Sequence, residues 1–297
     1  MASQVTVRVY EPSDSNAVRS IIERAGQDGE LVGFHASEVR DWVRSIPDVA
    51  ERTWVAVIDE TVIGILCVPF DAVIVSPEYR RRGASRRLVE TVLAVQPHFE
   101  LSQWSGSPET TAFLQSVGFR FDHLLVRMVR TGSHLPDDPH LPPGFSMRTY
   151  RHEDFDLYFD LLDRSFADHP TPLVLDRERV RTVHAKPAFN PASIHLVVQD
   201  GEPDRLAAFV RLRRSESVDG APVGTVALLG VDPEYRARGF ARALLRSGIR
   251  EFIASGIDTI DIEVVSNNDR ALPLYTSEAF EPVLSWPYWV PDDTRLS

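Results

Sequence analysis

The 297-residue sequence holds a single cysteine, Cys67. That excludes an intrachain disulfide and a cysteine zinc cluster. Cys67 lies in the apolar run Val62–Val68, so a buried strand residue is expected rather than a reactive thiol. No apolar stretch approaches the ~18 residues needed to cross a bilayer. The start of the chain shows no basic-then-apolar export pattern. A cytoplasmic address without a membrane partner is expected. The nine histidines show no HExxH or comparable ligand spacing, so no metal is expected. Lysine is nearly absent, with Lys186 alone, so basic charge rests on arginine. Acidic residues outnumber basic ones 43 to 32, a formal net charge of -11. That argues against nucleic acid as a partner, which needs a basic footprint.

What is present is a repeat. Val75–Val89 reads VSPEYRRRGASRRLV and Val231–Leu245 reads VDPEYRARGFARALL. Arg80, Arg81, Arg82, Arg86 and Arg87 crowd the first copy, and Arg236, Arg238, Arg242 and Arg246 the second. An acidic protein that gathers positive charge at two corresponding places is expected to meet an anion there.

The length suits two domains. Thr131–Gly144, rich in Pro, Gly, Asp and His, reads as a linker between them. Each half opens with a strand, Thr6–Tyr10 or Phe145–Tyr150. Helical patterns follow near Asp14–Ala25 and Glu153–Ala167. Then come a strand pair, a short strand feeding the PEYR loop, a long helix, a strand, a short helix and terminal strand material. The predicted order is β-α-α-β-β-β-α-β-α-β in each half. The fold class is mixed α/β, with two tandem domains forming a pseudo-dimer within one chain. Domains are expected at 1–130 and 145–297, joined by 131–144.

In the second copy a strand ends at Val231 and a helix starts near Gly239. The first turn of a helix offers unpaired backbone N–H groups and a positive dipole end. Glycine and alanine leave that end uncovered for a phosphate. The spacing Arg-x-x-Gly-x-Ala is neither a P-loop nor GxGxxG. Alone it would be an ordinary strand–turn–helix with solvated arginines. After the next strand, however, comes Asn268–Phe280, NDRALPLYTSEAF. The two motifs in this order resemble the GNAT family of acetyl-CoA-dependent N-acetyltransferases, with Ala279 where the family usually has glycine.

The resemblance implies acetyl-CoA as co-substrate and roles for particular residues. The backbone of Arg236, Ala237, Arg238, Gly239, Phe240 and Ala241 would cradle the coenzyme A pyrophosphate. Leu229 and Val231 would pair with the pantetheine arm, and Asn268 would bond that arm or the strand nearby. A plain helix N-cap is the other reading of Asn268. Tyr275 would be the general acid that protonates the departing thiolate; the other reading is a core tyrosine.

Glu263 is informative by its strand. In TIDIEVV, Ile260, Ile262 and Val264 share one face while Asp261 and Glu263 share the other. A carboxylate on a central strand needs a partner or a purpose. A similar Glu-to-Tyr arrangement occurs in GNAT enzymes that acetylate protein N-termini, where the glutamate is the base. Glu263 is therefore the candidate base, with Asp261 second. A structural pairing to an arginine is the competing role.

The implied reaction is direct attack of a primary amine on the thioester. The acceptor is a small-molecule or peptide amine, shaped by Leu161–Pro172 and Arg213–Pro222. A non-catalytic acyl-CoA sensor is the alternative.

The first half keeps Arg80, Gly83 and Ser85. Counting back from Gly118-Phe119 sets Leu114 against Tyr275, Ser107 against Asn268 and Ser102 against Glu263. Both candidate catalytic groups are missing, so chemistry is expected in the second half alone. The first half is expected to bind coenzyme A weakly or not at all. The tandem plan resembles that of mycothiol synthases, but Thr225 stands nearest to where that enzyme type carries a strand glutamate.

Overall fold

A computed structural model describes residues 4–28, 31, 36–104, 107–171, 175–217 and 220–292. The elements run β1 (Thr6–Val9), α1 (Ser15–Gln27), α2 (Ala36–Ser45), β2 (Thr53–Ile58), β3 (Thr61–Cys67), β4 (Ala72–Val75), α3 (Ala84–Val95), β5 (Leu101–Ser102), α4 (Pro108–Ser116) and β6 (Phe119–Thr131). The same order then repeats. It runs β7 (Phe145–Thr149), α5 (Phe155–Phe166), α6 (Arg177–His184), β8 (Ile194–Gln199), β9 (Glu202–Glu216), β10 (Pro222–Val231), α7 (Phe240–Ala254), β11 (Thr259–Val265), α8 (Ala271–Ser277) and β12 (Glu281–Pro291). This is the order that the sequence patterns imply for each half. Two compact units result: Met1–Leu125 with Ser285–Ser297, and Val126–Leu284.

In the first unit β1, β2, β3 and β4 form an antiparallel sheet in that order. Side chains alternate across it, as the strand period requires. Trp54, Ala56 and Ile58 of β2 join the core under α3, whereas Val55 and Val57 join the one under α1 and α2. Cys67 ends β3 fully buried. Burial pushes its thiol up to about 12, so it stays a thiol and packs as a small apolar group. The C-terminal strand β12 pairs antiparallel with β5, Trp289 opposite Leu101.

In the second unit β7, β8, β9 and β10 are antiparallel neighbours, and β11 joins β10 in parallel. Ile194, Leu196 and Val198 face the core of α5, while Val197 faces that of α7. Glycine lets α7 lie close to the sheet: a Cβ on Gly248 would stand 2.8 Å from Leu212, and one on Gly224 2.6 Å from Phe252.

The repeat extends to single ion pairs. Arg8 clamps Asp14 with two hydrogen bonds of 2.6 and 2.7 Å, and Arg148 clamps Asp154 with the same two distances. Each aspartate also accepts a backbone N–H three residues before it, from Glu11 or Arg151. Each unit thus fixes its first strand to its first helix by one buried carboxylate. Among the described residues, no helix is long and apolar enough to cross a membrane.

Candidate active site

The site of the second unit begins where two strands part. β10 bonds β11 only through Gly224–Val226 against Ile260–Ile262. The β9–β10 register then slips between Val226 and Leu228, which leaves Ala227 as a bulge. Beyond it Leu229 and Val231 keep their β9 partners, Val210 and Ala208, but the β11 ladder has ended. One edge of β10 therefore presents backbone groups that an extended, amide-bearing molecule can pair with.

The chain leaves β10 through a single 3-10 turn, Pro233–Tyr235. Ala237 and Gly239 then take left-handed backbone, φ 61° and 90°, and α7 begins. Gly239 is the N-cap of α7 and supplies no side-chain cap, so the first-turn N–H groups stay uncovered. Nothing lies within 4 Å of where its Cβ would stand. Uncovered amides and the helix dipole make this an anion cradle. Phe240 anchors the helix start in the core, and Ala241 is half-buried.

The arginines around this cradle serve the protein itself. Arg236 donates from Nη1 to Asp168 Oδ2 at 2.6 Å and from Nη2 to Asp168 Oδ1 at 2.8 Å. Its Nη2 also reaches Ser165 O at 3.1 Å, and its Nε reaches Val231 O at 3.4 Å. Arg238 donates to Glu234 O and lies over the Tyr235 ring. Arg242 and Arg246 both hold the buried carboxylate of Glu278, at the end of α8. The sequence suggested that this charge gathers for an external anion. In the fold Arg242 and Arg246 hold the buried Glu278 and Arg236 holds the exposed Asp168, while the backbone amides at the start of α7 stay uncovered.

Asn268 sits in the turn between β11 and α8. Its Oδ1 accepts from Ala271 N at 3.1 Å, which is the capping role, and its Nδ2 lies 3.2 Å from His169 Nε2. Tyr275 on α8 is buried, packed in the core of α7 and β11. Burial pushes its hydroxyl well above the ordinary phenol range, so it holds its proton at neutral pH.

Ile260, Ile262 and Val264 face α7 as expected. Glu263, on the other face, is 40% exposed and paired with a buried arginine, Arg127 of β6, at 2.6 Å. Asp261 is buried, with Oδ2 at 3.8 Å from Arg127 Nε. The sequence reading missed Arg127, Asp168 and the His169–Asn268 contact. Only the alternating carboxylates of β11 hinted that a cation must lie near. Of the two suggested acceptor segments, 172 and 218–219 lie outside the described residues.

The first unit repeats the cradle. Arg81 and Gly83 take φ 63° and 83°, Gly83 caps α3 without a side chain, and Arg80 Nε reaches Val75 O at 3.2 Å. Ser107 caps α4 by accepting from Thr110 N. Leu114, fully buried, stands at the place of Tyr275. A cavity of about 970 Å³ opens here, lined by Val73, Val75, Arg80, Gly83, Ser102 and Leu114 among others.

A gap for an extended amide chain that runs into uncovered amides for a pyrophosphate is what a thioester of coenzyme A requires. The class is that of a coenzyme-A-dependent acyltransferase. The chain belongs to the acetyltransferase (GNAT) family, whose pattern matches residues 6–119 and again 151–280. It is 35% identical over 216 residues to a mycothiol acetyltransferase of Clavibacter michiganensis, covering 70% of this chain and 67% of that one. A mycothiol acetyltransferase of Propionibacterium freudenreichii is 30% identical over 210 residues, covering 70% and 66%. The alignments thus span about two thirds of these relatives. Two solved structures share the fold. A GCN5-related N-acetyltransferase from Sphaerobacter thermophilus has TM-score 0.65 at 17% identity, across 96% of this chain and 95% of that one. A tandem GNAT protein from the clavulanic acid biosynthesis pathway has TM-score 0.65 at 15% identity, across 97% and 98%. The protein is an N-acetyltransferase that uses acetyl-CoA as co-substrate.

Proposed function

We propose that acetyl transfer runs in the second unit, with Tyr275 as general acid and Glu263 as base. The observation that carries this reading is a chemical difference between the two matched loop-and-helix arrangements: a buried, protonated phenol in the second and Leu114 in the first. A primary amine is mostly protonated at neutral pH. Glu263, directly or through a water, takes one proton, and the nitrogen attacks the thioester carbon. Backbone N–H groups on the open edge of β10 hold the oxyanion. The C–S bond then breaks, the thiolate takes the phenolic proton of Tyr275, and the second proton of the attacking nitrogen passes to the phenolate, directly or through water, which restores Tyr275. Leu229 and Val231 pair with the pantetheine arm, Arg236–Ala241 hold the pyrophosphate by their amides, and Asn268 shapes the turn beside that arm.

The acceptor amine lies on the face of Glu263. The name shared by the relatives points to the amine that mycothiol acetyltransferases acetylate. Thr225 replaces the strand glutamate expected of that enzyme type, but Asp261 stands opposite Thr225 in the β10–β11 register and Glu263 follows on the same face. A carboxylate is thus available one strand over. A screen of amines including that acceptor, followed by thiol release from acetyl-CoA, tests the assignment. No release with any amine would refute it.

The first unit carries a second reading. Its cavity has the volume and the cradle for a coenzyme, but Leu114 cannot donate a proton. It binds coenzyme A without turning it over, against the weak binding expected from sequence. Calorimetry should find two sites per chain, with one lost in Gly83→Glu; a single site unaffected by Gly83→Glu would sink this reading.

A further inference from the structure

The strongest unassigned feature of the second unit is a carboxylate between its two motif loops. Asp168 follows α5, two residues past its end. It accepts two hydrogen bonds from Arg236, in the loop after β10. It also accepts one from Arg270 Nη1 at 2.9 Å, in the turn after β11. The same oxygen, Oδ2, takes both arginines. The next residue, His169, meets Asn268 in that same turn and holds its own backbone through Thr171 O, 2.7 Å from Nδ1.

These contacts sit at a defined place in the fold. β10 and β11 share hydrogen bonds only up to Val226 and Ile262. From there each strand continues to its own loop without a ladder to set the separation. Something else must fix the width of the gap, because an open strand edge gives under load while a paired one does not. Asp168 joins the loop beyond one strand to the turn beyond the other. Arg236 cannot swing away cheaply, since Ser165 O and Val231 O hold two more of its N–H groups. A bidentate guanidinium–carboxylate pair adds directional stiffness that an isolated surface ion pair lacks.

We propose that Asp168 is a positioning residue: a strut that sets the opening between β10 and β11 and thereby the seat of the acyl thioester. This rests on the reading that the second unit holds acetyl-CoA. The cradle at Arg236–Ala241 holds the pyrophosphate through backbone amides, whereas the strut engages only the side chain of Arg236. The strut therefore governs where the acyl group lies and how long it can be, rather than whether coenzyme A binds. Narrow spacing admits acetyl and rejects longer chains; loosened spacing lets the thioester wander from the attacking amine, where about 1 Å of misplacement costs about 10²-fold in rate.

The test compares wild type with Asp168→Asn and Asp168→Ala, in the full chain, using acetyl-CoA and butyryl-CoA. The expected result is kcat with acetyl-CoA lowered about 10- to 100-fold, and the acetyl-to-butyryl ratio of kcat/KM lowered at least several-fold. The coenzyme A Kd should stay within a few-fold, with Tm little changed. An unchanged acyl ratio overturns the proposal, whether kcat holds or falls, because a merely structural loss would slow both thioesters alike. Should both Asp168 variants fail to fold, Arg270→Gln breaks one end of the strut only, and the same ratio decides. Gly239→Glu serves as the separate control: retained coenzyme A binding in the second unit would refute the site itself and not the strut.

Discussion

Glu263 Oε1 accepts two hydrogen bonds from Arg127, at 2.6 Å from Nη2 and 3.1 Å from Nε, across 136 residues of sequence. The arginine is buried and the glutamate partly exposed, so the cation belongs to the protein interior and orients a carboxylate at its surface. Glu263→Gln keeps an acceptor for Arg127 and removes the base. Turnover should fall by roughly 10²–10⁴, with acetyl-CoA affinity unchanged. Arg127→Leu is a different experiment, since it removes the buried cation that both Asp261 and Glu263 approach. It should cost about 3–5 kcal/mol in a urea titration.

Tyr275→Phe retains the ring in its core packing and deletes the proton donor. A loss of roughly 10²–10⁴ in kcat is expected, with little change in coenzyme affinity. A wild-type rate would remove the acid role. Because burial raises the phenol, alkaline pH up to 10 should not titrate it.

Gly239→Glu places a charged side chain into open space above the cradle and on left-handed backbone, φ 90°. The backbone cost is about 1–2 kcal/mol, too little to unfold a domain of this size. Acetyl-CoA turnover should vanish while the circular dichroism spectrum persists. Gly83→Glu, at φ 83° in the first unit, should leave most turnover intact.

His184 is buried between Tyr158 and Phe189, and its Nδ1 lies 3.2 Å from the Tyr150 hydroxyl. Burial first, and the nearby Arg211 charge second, lower its pKa to about 4. An unfolded histidine takes its proton near 6.5. Between these values the unfolded chain binds the extra proton, so stability is full above pH 6.5 and declines as pH falls toward 4. Thermal midpoints measured at pH 7, 6, 5 and 4 should trace that decline, and His184→Phe should flatten it.

Asp71, just before β4, shows the opposite slope. Burial first, with Glu100 adding to it, pushes its carboxyl up to about 8, against the pull of a Tyr288 hydrogen bond. The folded chain then holds a proton that the unfolded one releases near 3.9. Stability is highest at the acid end of this range and is lost as pH rises toward 8. Asp71→Asn should raise the urea midpoint at pH 8 more than at pH 5.

Local features were legible because local physics makes them. Period-two and helical patterns gave the element order of both halves, and Gly239 marked the start of α7. Leu114 against Tyr275 needed only counting. The partners of the arginines were not legible by the same method. The number of arginines was visible, but whether each faces a ligand or a carboxylate depends on what the fold brings beside it. Arg236 meets Asp168 from 68 residues away, and Arg242 meets Glu278 from 36.

The amino-acid sequence by itself determined the duplication, the two PEYR loops and the leucine that stands at the place of Tyr275 in the first copy, because each is written in contiguous residues. Tertiary structure alone decided which charges remain for a ligand. An ion is held by whichever opposite charge reaches hydrogen-bonding distance, and strand register and helix packing set that distance. That is why Arg127 beneath Glu263, and Asp168 between Arg236 and Arg270, emerge only once the strands are paired and the helices are laid on them.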